Sequence, residues 1–330
     1  MQIIDREFLD VTTPSCHAGT ICFYKDVPIY AWFGGTIEGS PDSAIYIQCK
    51  DKIHIIGDKD QLPRWNPILF AYKDELYLFV KVGIFCDRWC TQIYKISNIL
   101  DDSFDINKLE CQILSAGLNG PVKTKIIVNK GPVSNLIHCG SSVENILDWT
   151  SYIESYMIKD GQFIFRDRSK PLTVPKKIYN DPYYGKRQTM GIIQPALFFN
   201  GKELSAFFRS SRGLGKIYYS SSYKNDLGSL VWSDPVETKF DNPNSGIDVV
   251  NIKDRIFLVH NPSAISRSPL VISELDKGFN VIDEIVVREK VEGITKSPEL
   301  SYPYLIENDN KLHLVYTHGR SKIENVTIEI

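Results

Sequence analysis

The sequence predicts an all-β protein, a six-bladed β-propeller, on three observations. Apolar runs of strand length recur in pairs along the chain, the pairs return at an interval of about 55 residues, and no stretch sustains a helical spacing of apolar positions. The paired runs are His17–Gly35, Asn66–Gly83, Gly120–Ser142, Gln194–Ser211, Gly246–Asn261 and Tyr302–Gly319. Each has a central turn rich in Gly, Asp, Asn or Lys, the pattern of a β-hairpin. Their starts are separated by 49, 54, 74, 52 and 56 residues, near the period of propeller blades and far from that of helical repeats.

A further strand pair follows each hairpin but the last: DSAIYIQCKDKIHIIG, TQIYKISNIL, TSYIESYMIKDGQFIFR, GKIYYSSSYKNDLGSLVW and PLVISELDKGFNVIDEIVV. Four strands make a blade. After the sixth hairpin only SKIENVTIEI remains, while IIDREFL near the N-terminus has no blade of its own. The N-terminal strand is therefore expected to complete the sixth blade and remove two exposed sheet edges. Residues 1–330 are read as one propeller domain, with a pair of β-sandwiches as the architectural alternative.

Composition limits function. The 330 residues are 43% hydrophobic and 24% charged, enough apolar material for a large core. Net charge is −2, which gives no global attraction to nucleic acid or anionic lipid. The first residues carry charges where a signal peptide needs an apolar core, and no membrane-spanning run occurs. Seven cysteines, all before residue 140, follow neither a disulfide framework nor paired CxxC spacing. Reduced thiols, a cytoplasmic location, no metal and no cofactor are the expectations, with the oligomeric state left open. The six histidines fall at unrelated repeat positions, which supplies no ligand set.

In a propeller the first strand of every blade lines the central channel, so equivalent repeat positions become neighbours. First-strand starts bring His17, Trp65, Asn66, Lys123, Gln194, Asn244, Ser245 and Tyr302 to one end. Second-strand ends and the loops after them bring Thr36, Glu38, Asp42, Lys81, Arg88, Glu144, Arg209, Arg212, Asn261, Arg267 and Arg320 to the same end. Guanidinium forks in that number match a carboxylate, sulfate or phosphate. An anionic ligand fits, against the alternative that each arginine only pairs with a nearby acid. Trp65 is the tryptophan chosen to stack on a sugar ring, and the small Ala18 and Gly19 beside His17 are expected to let a ligand approach.

These repeats resemble the sialidase superfamily, specifically its sialidase-like propellers with BNR or Asp-box repeats, over nearly the whole chain. Ser222–Trp232 resembles an Asp box, S-x-D-x-G-x-T-W, through Asp226, Gly228 and Trp232, and the segment from Ser273 carries Asp276 and Gly278. Both are read as structural turns. The fourth repeat is similar to the sialidase segment running from an active-site Glu to an arginine of the carboxylate-binding triad, which makes Arg209 that arginine. HNPSAISRSPLVIS resembles the segment of the next triad arginine, Arg267, and Ser301-Tyr-Pro-Tyr-Leu falls where sialidases place their nucleophilic Tyr, here Tyr302. AWFGGTIEGSPDSAIY resembles the loop of the acid/base Asp, with Asp42 the match and Glu38 the reserve.

Two positions depart from the family. Ser15-Cys-His-Ala-Gly-Thr20 replaces the RIP motif of the first triad arginine, and Gln194 stands where a Glu would activate the Tyr. An amide cannot take a proton from a phenol of ordinary pKa about 10. The resemblance implies an exo-acting glycoside hydrolase on a sialic or other ulosonic acid. Tyr302, Asp42, His17 and Gln194 would be its catalytic set, with Arg209, Arg267, Glu38, Trp65, Asn66, Lys81, Arg212 and Asn244 on the substrate. Two alternatives are a lyase or rhamnosidase-like enzyme on uronic-acid glycans using His17 as acid/base, and a propeller that binds acidic glycans without cleaving them. The expected partner in every case is an acidic carbohydrate.

Overall fold

The computed structural model describes residues 1–57, 60–129, 135–225, 230–292 and 297–330. They build six antiparallel sheets, each running from an inner to an outer strand in chain order. The first holds β2 (Ser15–Tyr24), β3 (Val27–Gly35), β4 (Ala44–Cys49) and β5 (Lys52–Ile56), after β1 (Gln2–Phe8). The second holds β6 (Arg64–Tyr72), β7 (Glu75–Val82), β8 (Cys90–Lys95) and β9 (Cys111–Ile113). The third holds β10 (Ile127–Val128), β11 (Leu136–Glu144), β12 (Trp149–Lys159) and β13 (Gln162–Arg168). A separate hairpin, β14 (Ile178–Asp181) and β15 (Gly185–Gln188), precedes the fourth. That sheet contains β16 (Ile192–Asn200), β17 (Glu203–Ser210), β18 (Lys216–Lys224), β19 (Leu230–Trp232) and β20 (Val236–Asp241). The fifth holds β21 (Asp248–Ile252), β22 (Arg255–His260), β23 (Leu270–Leu275) and β24 (Val281–Arg288). The sixth holds β25 (Leu300–Asn308), β26 (Lys311–His318) and β27 (Lys322–Glu329), with β1 as its outer strand. The fold class is an all-β six-bladed propeller, and helix among the described residues is limited to two 3-10 turns, Cys86–Arg88 and Ile106–Lys108.

The chain divides into two compact units. Met1–Lys125 with Val291–Ile330 contains the first, second and sixth sheets, and Ile126–Lys290 contains the third, fourth and fifth. Inner strands are buried on both faces, which is why they read as continuous apolar runs. On β16, Ala196 and Phe198 pack with Phe207, Val249 and Leu258 toward the fifth sheet, while Leu197 packs on the other face with Ala206, Phe208 and Ile153. Outer strands see more solvent: β13 and β24 mix exposed with buried positions, and both present apolar side chains to solvent, Ile164 and Phe165 on β13 and Val281, Ile282 and Val286 on β24.

The second sheet departs from expectation. Its outer strand is not in the residues after Lys95, which turn back through hydrogen bonds from Ile99 N to Ile96 O and Asp101 N to Asn98 O. Ile96 and Ile99 are buried anchors, and the strand comes later, at β9. The 74-residue interval between third and fourth repeats holds the β14–β15 hairpin, unforeseen in the sequence. Asp226 and Gly228 lie outside the described residues. Asp276 does form a structural turn, accepting from Gly278 N and Asn280 N, each at 2.8 Å.

Strand β1 pairs with β27 from Gln2↔Glu329 to Phe8↔Glu324, and Arg6 reaches the buried Glu324 at 3.5 Å. Without it β27 becomes an open edge. Removal of residues 1–8 is expected to lower the melting temperature by several degrees and to cause concentration-dependent association, checked by calorimetry and light scattering. An unchanged, monodisperse protein would contradict this role for β1.

Candidate functional site

The inner strands share one backbone irregularity. Ala18, Asn66, Gln194 and Tyr302 have φ of 53, 44, 54 and 52°, and lie six residues before Tyr24, Tyr72, Asn200 and Asn308, the last residues of their strands. At each, the ladder to the second strand slips by one residue, between His17/Thr20, Trp65/Ile68, Ile193/Ala196 and Ser301/Tyr304. Lys123 and Asn244, near the starts of the third and fifth repeats, also have positive φ, 74 and 63°. The cause is legible in three sequences: Pro67, Pro195 and Pro303 cannot donate to the ladder, and an extra residue bulges beside each. A side chain in this left-handed conformation costs of order 1 kcal/mol or more, the kind of strain that collects at functional sites.

In the first unit the bulges gather aromatic and basic groups. The His17 and Tyr302 rings lie 4.0 Å apart between centroids, tilted by 45°, and His17 meets Phe33 edge-on at 5.7 Å. Lys123 Nζ stands 5.9 Å from the Tyr302 ring centroid and donates to the Pro303 carbonyl. His17, Lys123, Asn66 and Tyr302 are all buried. The small residues beside His17 serve packing, contrary to the expected ligand approach: a Cβ on Gly19 would come within 2.7 and 2.8 Å of Val315 and Ile323, and Ala18 N donates to Thr317 Oγ1.

Asp42, Glu38, Lys81 and Trp65 of this unit are each engaged. Asp42 accepts from Thr36 N at 2.9 Å, from Thr36 Oγ1 at 2.6 Å and from Ser40 Oγ. The Ser40 hydroxyl, helped by Thr36, holds its carboxyl below the usual carboxylate range, so it must leave this clamp before donating a proton. Glu38 pairs with Arg320, which also binds Glu299 at 2.8 Å and accepts Cys16 N at its carbonyl. Arg320 thus adjoins Cys16 near the start of β2. Lys81 is buried and donates to Thr91 Oγ1 at 2.8 Å and to the Asn119 carbonyl, a structural tie beneath a loop. Trp65 is half-buried, bonded to the Gly83 carbonyl, stacked at a tilt on Trp89 at 5.4 Å and covered in part by Gly39.

In the second unit two arginines converge on one residue. Arg209 Nε donates to Asn244 Oδ1 at 3.0 Å, and Arg267 Nη2 donates to the Asn244 carbonyl at 2.7 Å. Arg209 Nη1 also donates to Gln194 Oε1 at 3.0 Å, and its guanidinium lies 5.5 Å from the Trp149 ring centroid. Gln194 N is fixed by Ser142 Oγ at 2.7 Å. Gly140 allows that approach, since a Cβ there would fall 2.1 Å from the Pro195 carbonyl oxygen. The amides of Gln194 and Asn244 orient Arg209 without adding negative charge, which a Glu at 194 would have done. Arg212 does not join this group; it binds Asp181 at 3.0 Å. Neither that partnership nor Arg320's could be read from the strand pattern.

Residues 29–314 match the family model described as a BNR repeat-like domain. No curated protein matches the chain. Among solved structures, a Dyadobacter fermentans protein of unknown function is similar over 100% of this chain and 99% of its own, at 14% identity and a TM-score of 0.67. A mutant Trypanosoma rangeli sialidase displaying trans-sialidase activity matches over 100% of this chain and 60% of its own, at 11% identity and a TM-score of 0.62. The sialidase of that organism in complex with the inhibitor DANA matches over 96% and 55%, at 12% identity and a TM-score of 0.58. The chain therefore spans a little over half the length of the trypanosomal structures, and at these identities the likeness is one of fold.

Proposed function

We propose that this chain, which belongs to the BNR repeat-like domain family, is a sialidase-like glycoside hydrolase acting on an acidic sugar. The observation that carries the reading is the anchoring of Arg209 and Arg267 on the two oxygens of Asn244, which presents a pair of guanidiniums suited to a carboxylate. Tyr302, with His17 against its ring, is the nucleophile: its oxygen bonds to the anomeric carbon as the glycosidic C–O bond breaks. His17 takes the phenolic proton in place of the missing Glu, and Asp42, released from Ser40, protonates the leaving oxygen. Water then cleaves the sugar–tyrosine bond with retention.

One feature favours a second reading. Gln194 is an amide where the family carries a carboxylate, and the His17–Tyr302 pair of the first unit would supply an acid–base couple for elimination across a uronate ring. The products separate the two. Incubation with sialosides, other ulosonic-acid glycosides and uronate oligosaccharides is expected to release a saturated acidic sugar from an ulosonic-acid glycoside. Release of an unsaturated uronate, absorbing in the near ultraviolet, would establish the lyase instead. Binding across the panel without turnover would overturn both and leave a glycan-binding propeller.

A further inference from the structure

Among the described residues the β14–β15 hairpin of the second unit belongs to none of the six sheets and its strands pair only with each other. Two-stranded hairpins are marginal alone, and this one is bolted down. Asp181, buried, accepts from Tyr183 N at 2.9 Å, Tyr184 N at 3.1 Å and Arg212 Nη1 at 3.0 Å. The Tyr179 ring packs against Gly213, where a Cβ would come within 2.4 Å of it. The base is fastened to the loop two residues after Arg209: Met190 N and Gly191 N donate to Ser211 Oγ, and Ser211 N donates to the Gly191 carbonyl.

The tip is built differently. Tyr183 and Tyr184 are 83% and 68% exposed, against the usual burial of aromatic rings. The Arg187 guanidinium lies over the Tyr184 ring at 4.2 Å, and Lys186 beside it is exposed. Among the described residues neither cation has an ion pair with a carboxylate, whereas Lys176 and Lys177 at the base pair with Asp148 and Glu237. A fixed mount that holds two exposed tyrosines, one with Arg187 over a face of its ring, and two cations toward solvent fits a ligand with ring faces and negative charges.

We propose that this hairpin is a subsite for an acidic oligosaccharide: Tyr183 and Tyr184 take the apolar faces of successive sugar rings while Lys186 and Arg187 meet their acid groups. The hairpin's attachment beside Arg209 makes it a continuation of the arginine pair, so the terminal sugar's place rests on the reading proposed above, while the length dependence does not. Calorimetric titration of the full chain with sialic acid monomer, trimer and pentamer, and with neutral maltopentaose, tests it. The pentamer is expected to bind about tenfold or more tighter than the monomer. Tyr183→Ala with Tyr184→Ala, and separately Lys186→Glu with Arg187→Glu, should abolish that gain and leave monomer binding unchanged. A wild-type chain that binds the pentamer no tighter than the monomer, binds maltopentaose equally well, or binds none of the probes overturns the subsite, as does retention of the gain in either double variant. Arg209→Met is the separate control: monomer affinity indifferent to it contradicts the arginine-pair reading, and the hairpin then stands or falls on length dependence alone.

Discussion

Tyr302→Phe is expected to lower turnover on any glycoside the wild-type chain hydrolyses by at least about 10³-fold, the scale on which loss of a covalent nucleophile is felt. The substitution removes one oxygen and keeps the ring and the backbone conformation of the position. The ring stays against His17 at 4.0 Å and under Lys123, and the left-handed backbone before Pro303 is asked of a side chain of the same shape. The melting temperature should therefore change by no more than a degree or two. Tyr302→Ala would be a poorer test, since it also empties a buried site. Single-turnover kinetics beside calorimetry reads both quantities, and turnover retained within tenfold of wild type would remove Tyr302 from the chemistry.

The repeat was legible because strand alternation and turn residues are local. So were the bulges, once X-Pro at the start of an inner strand is taken as a place where the ladder must slip; Asn66, Gln194 and Tyr302 all stand there. What the pattern could not reveal is where long side chains end. Lys81 and Arg209 stand near the ends of the second strands of the second and fourth hairpins, yet one is buried on Thr91 and a loop carbonyl while the other is held by two amides. The hairpin pattern brings Gln194 and Asn244 to the end where Arg209 lies, but which oxygen each cation meets, an amide for Arg209 or the Asn119 carbonyl for Lys81, is set by tertiary packing. Gly19 was ambiguous for the same reason: a missing side chain makes room equally for a ligand or for Val315 and Ile323, and only packing against the sixth sheet decides. The β14–β15 hairpin escaped because its strands are four residues each and carry no apolar alternation.

Mild acid is expected to unfold the second unit, and two buried histidines are the reason. His138 bonds Ser155 Oγ at 2.8 Å and His260 bonds Ser273 Oγ at 3.0 Å, neutral partners for neutral rings. Burial pushes both imidazoles down from 6.5 to about 4, with only weak opposition from Asp167 and Asp241 respectively. Between those values the unfolded chain binds protons that the folded chain refuses. The stability each neutral ring contributes is complete above pH 6.5 and is lost as pH falls toward 4. Each loss is on the order of 3 kcal/mol, so the two together rival the roughly 5–15 kcal/mol that holds a domain folded. Carboxylates held below their ordinary range, such as Asp60 on Arg64 and Asp181 on the Tyr183 amide, act in the same direction but only at lower pH, below 3.8. Urea midpoints measured from neutral pH downward should therefore drop steeply before the carboxylates titrate, and His138→Gln with His260→Gln should flatten that drop. A midpoint that holds steady down to about pH 4.5, or an equal slope in the double variant, would show that these rings are not what acid attacks. An enzyme built on this unit should then work near neutrality, where its arginine pair is mounted on an intact fourth and fifth sheet, and should lose activity in mild acid through unfolding.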